Sequence, residues 1–175
     1  MRNPFKKKQP KIEEPIYQIT MGDDIPLLLF VGEYDPAKIE PIRNRGNFCK
    51  PYGGVWCSPF KPDTGSEWFE WCTGEQFKIP SLKDPVTFIK VNHNGKFFKI
   101  NTLSNLRKLL AEFELKDNRR SKFMTPALDF ERIAKVVDGI YLTSAGEGAT
   151  RLSEPENLYG WDCETVLIFN SNAKY

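Results

Sequence analysis

Residues 161 to 170 read Trp161-Asp162-Cys163-Glu164-Thr165-Val166-Leu167-Ile168-Phe169-Asn170, an acidic start followed by an apolar run. An apolar run of this length predicts a buried β-strand. Since side chains two residues apart on a strand share a face, Asp162 and Glu164 are expected to project together from the start of this strand. Two interpretations stay open: an acidic pair at the edge of a cleft, or the solvated end of a strand.

The remainder of the chain predicts further strands and several helices. Asn94-Gly95 between two apolar runs is typical of a β-hairpin. With the final strand, the predicted strands cover residues 25–31, 53–59, 86–91, 96–100, 140–143 and 161–170.

Helical spacing of apolar residues predicts one helix over residues 104–115 and another that begins after Asp129. Thr64 and Glu67 have the spacing of a capping box, which predicts the start of an aromatic helix that ends near Gly74. Residues 144–160 are rich in Gly and polar side chains and predict a long loop. Because strands and helices do not alternate regularly, the predicted fold class is α+β in a single domain.

Basic charge is concentrated at the start of the chain. Five of the 25 basic residues lie within the first 11 positions, which leaves 20 basic against 23 acidic residues in the rest. This balance does not indicate a basic nucleic-acid-binding domain. We expect residues 1–20 to form a flexible basic tail and residues 21–175 to form the folded domain. The tail either contacts phosphates or an acidic surface, or is simply solvated.

The four cysteines form no C-x-x-C pair and the chain has one histidine, His93, so a zinc site is not predicted. Each cysteine lies in or beside an apolar stretch, which favours free thiols in a reducing compartment. No apolar run approaches the roughly 18 residues of a membrane span, and no signal-peptide pattern is visible. These features predict a cytoplasmic protein without a membrane partner.

Five stretches of the sequence are similar to parts of one family's pattern. Leu29-Phe30-Val31-Gly32 is similar to a first-strand motif, and Gly53-Gly54-Val55-Trp56-Cys57-Ser58-Pro59 looks like a Gly-led aromatic strand that ends in Ser or Thr. Asp138-Gly139-Ile140-Tyr141 looks like the strand before a recognition loop, and the helix that begins near Ser66 falls where the family has a helix. Asp162-Cys163-Glu164 looks like an acidic motif at the head of the last catalytic strand. In this succession, over about residues 27–172, the chain resembles the ADP-ribosyltransferase-like family of mono- and poly-ADP-ribosyltransferases, toxins and phage relatives.

The resemblance implies a mixed or antiparallel split sheet with flanking helices, and NAD as a substrate without a metal. It implies transfer of ADP-ribose to an unknown acceptor, either protein or nucleic acid. Glu164 would then stabilise an oxocarbenium-like transition state. Asp162 would orient or deprotonate the acceptor, and Ser58 would support the carboxylate or the ribose. The NAD-contacting residues implied are Gly32, Arg43, Arg45, Gly54, Trp56 and Trp68.

Each of these residues also has an ordinary structural explanation, as a turn glycine, a core tryptophan or a solvated loop arginine. One position departs from the family pattern, because the basic or histidine residue of the first strand falls at Val31, which cannot hydrogen-bond. Either Arg43 or Arg45 reaches in from the following loop, or the site is altered or inactive, or the alignment is shifted. The alternative function is a non-catalytic binding or interaction module on the same scaffold, with a phage-encoded protein as one source.

Overall fold

The computed structural model describes residues 17–45, 49–79, 83–116 and 125–169. These residues form one mixed α+β domain, as predicted. Seven strands form a sheet in the order β1-β5-β6-β7-β3-β2-β4, in which β5 and β6 are parallel and every other pair is antiparallel. The strands are β1 (Ile19–Met21), β2 (Leu28–Val31), β3 (Val55–Pro59), β4 (Val86–Ile89), β5 (Lys96–Ile100), β6 (Gly139–Leu142) and β7 (Thr165–Ile168).

Four α-helices lie in the described residues: α1 (Glu67–Gly74), α2 (Leu103–Phe113), α3 (Phe130–Ile133) and α4 (Ser144–Thr150). The α2 prediction is confirmed, since its Leu106, Leu109 and Phe113 are all buried. The Asp129 cap of α3 is also confirmed, because its carboxylate accepts a hydrogen bond from the backbone N–H of Arg132 at 3.0 Å. No helix in this part of the chain is long and apolar enough to cross a membrane.

The sheet has a hydrophobic core on each face. Helices α2 and α3 pack on one face through a cluster that includes Leu106, Ile133 and Trp161. The core on the other face joins Leu28 of β2 to Val166 of β7 and to residues of β4, β5 and β6. The edge strand β4 and strand β5, which lies next to the opposite edge, therefore both contribute residues to this second core.

The predicted hairpin at Asn94-Gly95 is wrong. The turn exists, and the backbone N–H of Gly95 donates to the carbonyl of Asn92 at 2.9 Å. However, β4 pairs with β2, whereas β5 pairs with β1 and β6. The carbonyl of Gly95 instead accepts a hydrogen bond from the N–H of Gly22 at 2.8 Å, so the turn is fixed by a distant segment. Tertiary packing therefore overrides the local hairpin signal.

Other corrections concern helix ends. Ser66 rather than Thr64 caps α1, since the Ser66 hydroxyl accepts from the N–H of Phe69 at 3.3 Å. The predicted loop 144–160 contains α4, whose glycines lower its intrinsic helix propensity. Gly146 is needed there because a Cβ would lie 2.0 Å from the carbonyl oxygen of Ile100. The close approach of α4 to β5 therefore explains the glycine that obscured the helix.

The predicted boundary between the tail and the folded domain, after residue 20, is wrong, because residues 19 and 20 are part of the folded domain. These residues belong to β1, which pairs with β5 and was not predicted. The tail predicted for residues 1–20 otherwise falls largely outside the described residues. The edge strand β1 is only three residues long, which left too little pattern to identify it.

Candidate functional site

A cavity of about 470 Å³ opens where the sheet separates beside β3. Strand β2 pairs with β3 only through Leu28 and Leu29, while Phe30 and Val31 pair with β4 alone. The cavity volume is within the usual range for small-molecule sites. Its lining consists of Leu29, Phe30, Val31, Arg45, Lys50, Pro51, Trp56, Cys57, Ser58, Trp68, Lys78, Asp84, Asp162, Cys163 and Thr165.

Asp162 is the acidic residue of the C-terminal motif that lines this cavity. Its carboxylate accepts a hydrogen bond from an Arg151 guanidinium nitrogen at 3.1 Å and lies 3.7 Å from the Lys50 ammonium. The adjacent Trp161 is 1% exposed, and its indole N–H donates to the Cys49 carbonyl at 2.9 Å. The buried indole and the two cations therefore fix the position of Asp162.

Glu164 lies differently and is not among the residues that line the cavity. Its carboxylate accepts a 2.7 Å hydrogen bond from the hydroxyl of Tyr141, which belongs to the second hydrophobic core, the one that contains Leu28 and Val166. Burial, and then the hydrogen bond to Glu164, raise the pKa of Tyr141. The backbone of Glu164 is also held, because its N–H donates to a Glu67 carboxylate oxygen at 2.8 Å and its carbonyl accepts from Ser58 at 2.9 Å.

The expectation that Asp162 and Glu164 share a face of a strand is therefore wrong. Strand β7 begins at Thr165, so both acids lie in the irregular segment before it. The alternation that the prediction assumed does not apply to them. Cys163 and Thr165 line the cavity together with Asp162, whereas Glu164 turns towards Tyr141.

Glu67 links the Glu164 segment to the first turn of α1. One of its carboxylate oxygens accepts from the Glu164 N–H, and the other lies 3.2 Å from the Lys61 ammonium. Lys61 also contacts Glu70 at 3.1 Å. A carboxylate in the first turn of a helix is stabilised by the helix dipole. The start of α1 thus anchors the segment that carries both acidic residues of the motif.

Three cationic and two acidic side chains line the cavity. The Lys50 ammonium lies 5.2 Å from the centre of the Trp56 ring. Burial lowers the pKa of Lys50, the Asp162 carboxylate opposes this shift, and repulsion from Lys78 adds to it. Burial also raises the pKa of the Cys163 thiol to about 11, so this thiol stays protonated near neutral pH.

The other predicted site residues divide into two groups. Arg45, Trp56, Ser58 and Trp68 line the cavity together with Asp162, as a shared site requires. The remaining residues do not line it, namely Gly32, Arg43, Gly54 and Glu164.

Arg43, Gly54 and Gly32 serve other contacts. The backbone of Arg43 pairs with that of Tyr52. Gly54, at φ +68°, lines a second cavity of about 490 Å³, and a Cβ there would lie 2.8 Å from the carbonyl oxygen of Ile168. Gly32 has φ +115° and its N–H donates to the carbonyl of Pro85. These residues shape the backbone around the cavity.

The sequence did not identify Lys50, Lys78, Tyr141 or Glu67 as site residues. Each lies on an element remote in sequence from the acidic motif. Glu67 was interpreted only as part of a capping box and Tyr141 only as part of a strand, and no local signal gave any of the four a role in the site. The structure shows one unusual feature at Lys78, a backbone φ of +47°, that the sequence does not reveal.

The arrangement combines tryptophan faces, cationic groups and a fixed carboxylate in one cavity, a set that suits an anionic ligand with aromatic rings. Within the described residues, no group of three or more His, Cys, Asp or Glu side chains is arranged to hold a metal ion. Comparisons of the chain with protein-family models, with curated proteins and with solved structures found no match.

Proposed function

We propose that the protein transfers ADP-ribose from NAD to an acceptor macromolecule. One observation carries the proposal: the first-strand, second-strand and acidic stretches that resemble family motifs are far apart in sequence, yet residues of these three line one cavity. Val31, Ser58 and Asp162 represent the three stretches in its lining. The three stretches meet there because β2, β3 and β7, on or beside which they lie, are neighbours in the sheet.

The lining of the cavity also suits the parts of a dinucleotide. Trp56 and Trp68 offer aromatic surface for the nicotinamide or adenine ring. The cationic side chains of Arg45, Lys50 and Lys78 offer charge for the phosphates. Binding of both kinds of group in one cavity is the requirement that NAD imposes.

The reaction breaks the bond between the ribose C1′ and the nicotinamide nitrogen, and the bonding electron pair leaves with nicotinamide. The acceptor nucleophile then bonds to C1′ and loses its proton. A carboxylate beside the ribose stabilises the positive charge that develops on the ring. Asp162 is the motif carboxylate with access to the cavity, so it is proposed for this role. Glu164 fixes the segment that carries Asp162 through its bonds to Tyr141, Glu67 and Ser58.

Nicotinamide release from NAD, measured by chromatography with purified protein, tests the proposal. Asp162→Asn is expected to slow release roughly a hundredfold or more, the usual effect of losing one transition-state electrostatic contact. Glu112→Gln, on an exposed face of α2, is the matched control and should retain the wild-type rate. The proposal is refuted if wild-type protein neither binds nor cleaves NAD.

The roles of the two acids are separated by Glu164→Gln. If Glu164 acts only through its neighbours, the glutamine variant should keep most of the activity, because its amide oxygen can still accept from Tyr141. If Glu164→Gln abolishes cleavage while Asp162→Asn does not, the catalytic role belongs to Glu164, as the family resemblance implies. The unfolding transition of each variant verifies that the loss is not a loss of folding.

A second function is a nucleotide-binding module without turnover. Val31 favours it, because the apolar side chain lines the cavity where the family pattern has a basic or histidine residue. This module would raise its melting temperature with NAD or ADP-ribose through mass action, without releasing nicotinamide. In the transferase, by contrast, the acceptor of ADP-ribose is either a protein or a nucleic acid.

A cytoplasmic location fits both functions. All four cysteines are free thiols, and three of them are buried. Free thiols persist in reducing compartments, where NAD is also available to an enzyme. We therefore assign the protein to the cytoplasm as part of the proposal.

A further inference from the structure

The cavity lacks a hydrogen-bonding group on β2 but gains charge from two other segments. Val31 contributes only an apolar surface. Lys50 precedes β3 in the sequence and Lys78 follows α1, and both line the same cavity. The positive charge of the site is therefore supplied by residues outside the motif stretches.

Lys50 is positioned by its neighbours before any ligand binds. Its ammonium lies over the Trp56 ring at 5.2 Å and 3.7 Å from Asp162. The Asp162 carboxylate is shared with Arg151, which approaches it more closely, at 3.1 Å. Because Arg151 already offsets the charge of Asp162, Lys50 keeps capacity for an anionic ligand.

Lys78 has an unusual backbone conformation for a lysine. Its φ of +47° lies in the left-handed region, which costs energy for residues other than glycine. Strained backbone of this kind concentrates at binding and catalytic sites. The Lys78 ammonium lies 5.4 Å from the centre of the Phe77 ring, and its repulsion is the smallest of the effects on the pKa of Lys50. Because both lysines line one cavity, a bound anion there can contact two positive charges.

We propose that Lys50 and Lys78 bind the diphosphate of the nucleotide and replace the basic group that the first strand lacks at Val31. The identity of the nucleotide rests on the proposed function, whereas the anion site itself does not. Arg45, whose guanidinium lies 4.3 Å from the centre of the Tyr52 ring, is the third cationic residue in the cavity lining.

Equilibrium binding of three probes tests the site: inorganic diphosphate, ADP-ribose and adenosine, which lacks phosphate. The change in tryptophan fluorescence reports binding, because Trp56 and Trp68 line the cavity. Lys50→Met and Lys78→Met remove the charge and keep a long side chain. Each is expected to weaken ADP-ribose and diphosphate binding roughly tenfold or more, as loss of a hydrogen bond to a charged group predicts. Adenosine binding should stay unchanged.

Two further variants control for general effects. Lys108→Met, on the exposed side of α2, removes one positive charge from a residue outside the cavity lining and should leave all three affinities unchanged. Lys78→Arg keeps the charge and should retain at least part of the affinity that Lys78→Met loses. Lys78 is exposed, so its substitution should not prevent folding even if Lys50→Met destabilises the domain.

The outcomes separate this inference from the proposed function. If ADP-ribose binds to both Met variants within twofold of wild type, the lysine site is refuted while the transferase proposal stands. If diphosphate and ADP-ribose bind and both variants lose them, but NAD is never cleaved, the lysine site stands and the transferase proposal fails. If wild-type protein binds neither inorganic diphosphate nor ADP-ribose at millimolar concentration, the lysine site is refuted.

Discussion

Substitution of Tyr141 by Phe tests the contact that holds Glu164 away from the cavity. Tyr141 is 7% exposed, and its hydroxyl donates to the Glu164 carboxylate at 2.7 Å. Phe fills the same space but cannot donate, so the substitution removes one hydrogen bond with little change in packing. The free energy of unfolding should therefore fall for a single, identifiable reason.

The size of this loss follows from the burial of the two partners. Hydrogen bonds to charged groups contribute about 1.5–3 kcal/mol. Glu164 is only partly buried, so water can replace the missing donor at its carboxylate and reduce the cost. We expect Tyr141→Phe to lower the free energy of unfolding by about 1–2 kcal/mol at pH 7.

The raised pKa of Tyr141 adds a pH signature. The tyrosine titrates near pH 10 in the unfolded chain and above that in the folded protein, because burial and then Glu164 favour its neutral form. Between these two pKa values the unfolded state releases a proton that the folded state keeps, so wild-type stability falls as pH rises. The free energy of unfolding of the wild type falls by up to about 1.4 kcal/mol per pH unit in this range, and the Tyr141→Phe variant lacks this contribution. The difference between the two proteins should therefore close near pH 11, about one unit above the unfolded pKa.

Urea unfolding at pH 7, 9, 10 and 11, followed by tryptophan fluorescence, measures both effects. Tyr159→Phe is the control, because Tyr159 is 67% exposed and should show a difference within about 0.5 kcal/mol at every pH. A Tyr141→Phe protein as stable as wild type at pH 7 would contradict the hydrogen bond. A stability difference that persists unchanged at pH 11 would contradict the raised pKa.

Three further outcomes test other parts of the structure. Gly146→Ala should destabilise the fold by about 1–3 kcal/mol, because the new Cβ would meet the Ile100 carbonyl. Gly148→Ala, whose Cβ would have nothing within 4 Å, should instead stabilise α4 by up to about 1 kcal/mol. Thermal unfolding compares the two variants, and equal effects would be inconsistent with the packing of α4. Asn44→Ala should cost about 1–2 kcal/mol in urea unfolding, because the Asn44 amide bonds both the Asp129 carboxylate and the Phe130 N–H, and a neutral result would exclude this link. Alkylation of Cys163 at pH 8, located by peptide mass spectrometry, should be slow and rise about tenfold per pH unit up to about pH 11, and rapid labelling at pH 8 would rule out the raised thiol pKa.

Elements with a strong local pattern could be predicted from the sequence. Leu106, Leu109 and Leu110 recur at helical spacing and lie on the buried side of α2. The last strand was also predicted, because Val166, Leu167 and Ile168 form a continuous apolar run that is buried on both faces. In both elements the residues that decide the conformation are adjacent in sequence.

Elements decided by distant partners could not be predicted. Asn94-Gly95 forms a turn, but the pairing of β4 and β5 depends on strands on other parts of the chain. The same holds for α4. Gly146 lowers the local helix propensity, but it allows the helix to pack against the backbone of Ile100, where a Cβ would clash. Local propensity is outweighed wherever a close tertiary contact sets the geometry.

The acidic motif shows how a small error in a strand boundary changes a functional interpretation. The prediction that Asp162 and Glu164 act together assumed that the strand already includes residue 162. In the structure the strand starts at Thr165, so the two carboxylates separate and bind different partners, Arg151 in one case and Tyr141 in the other. Under the proposed function, the chemistry of the site depends on which carboxylate meets the ribose. Asp162 has access but shares its charge with Arg151 and Lys50, and a carboxylate so neutralised stabilises a developing cation less than an unpaired one. A bound diphosphate would draw Lys50 away from Asp162 and return part of that charge to the carboxylate, so on this reasoning substrate binding and activation of Asp162 are coupled through Lys50.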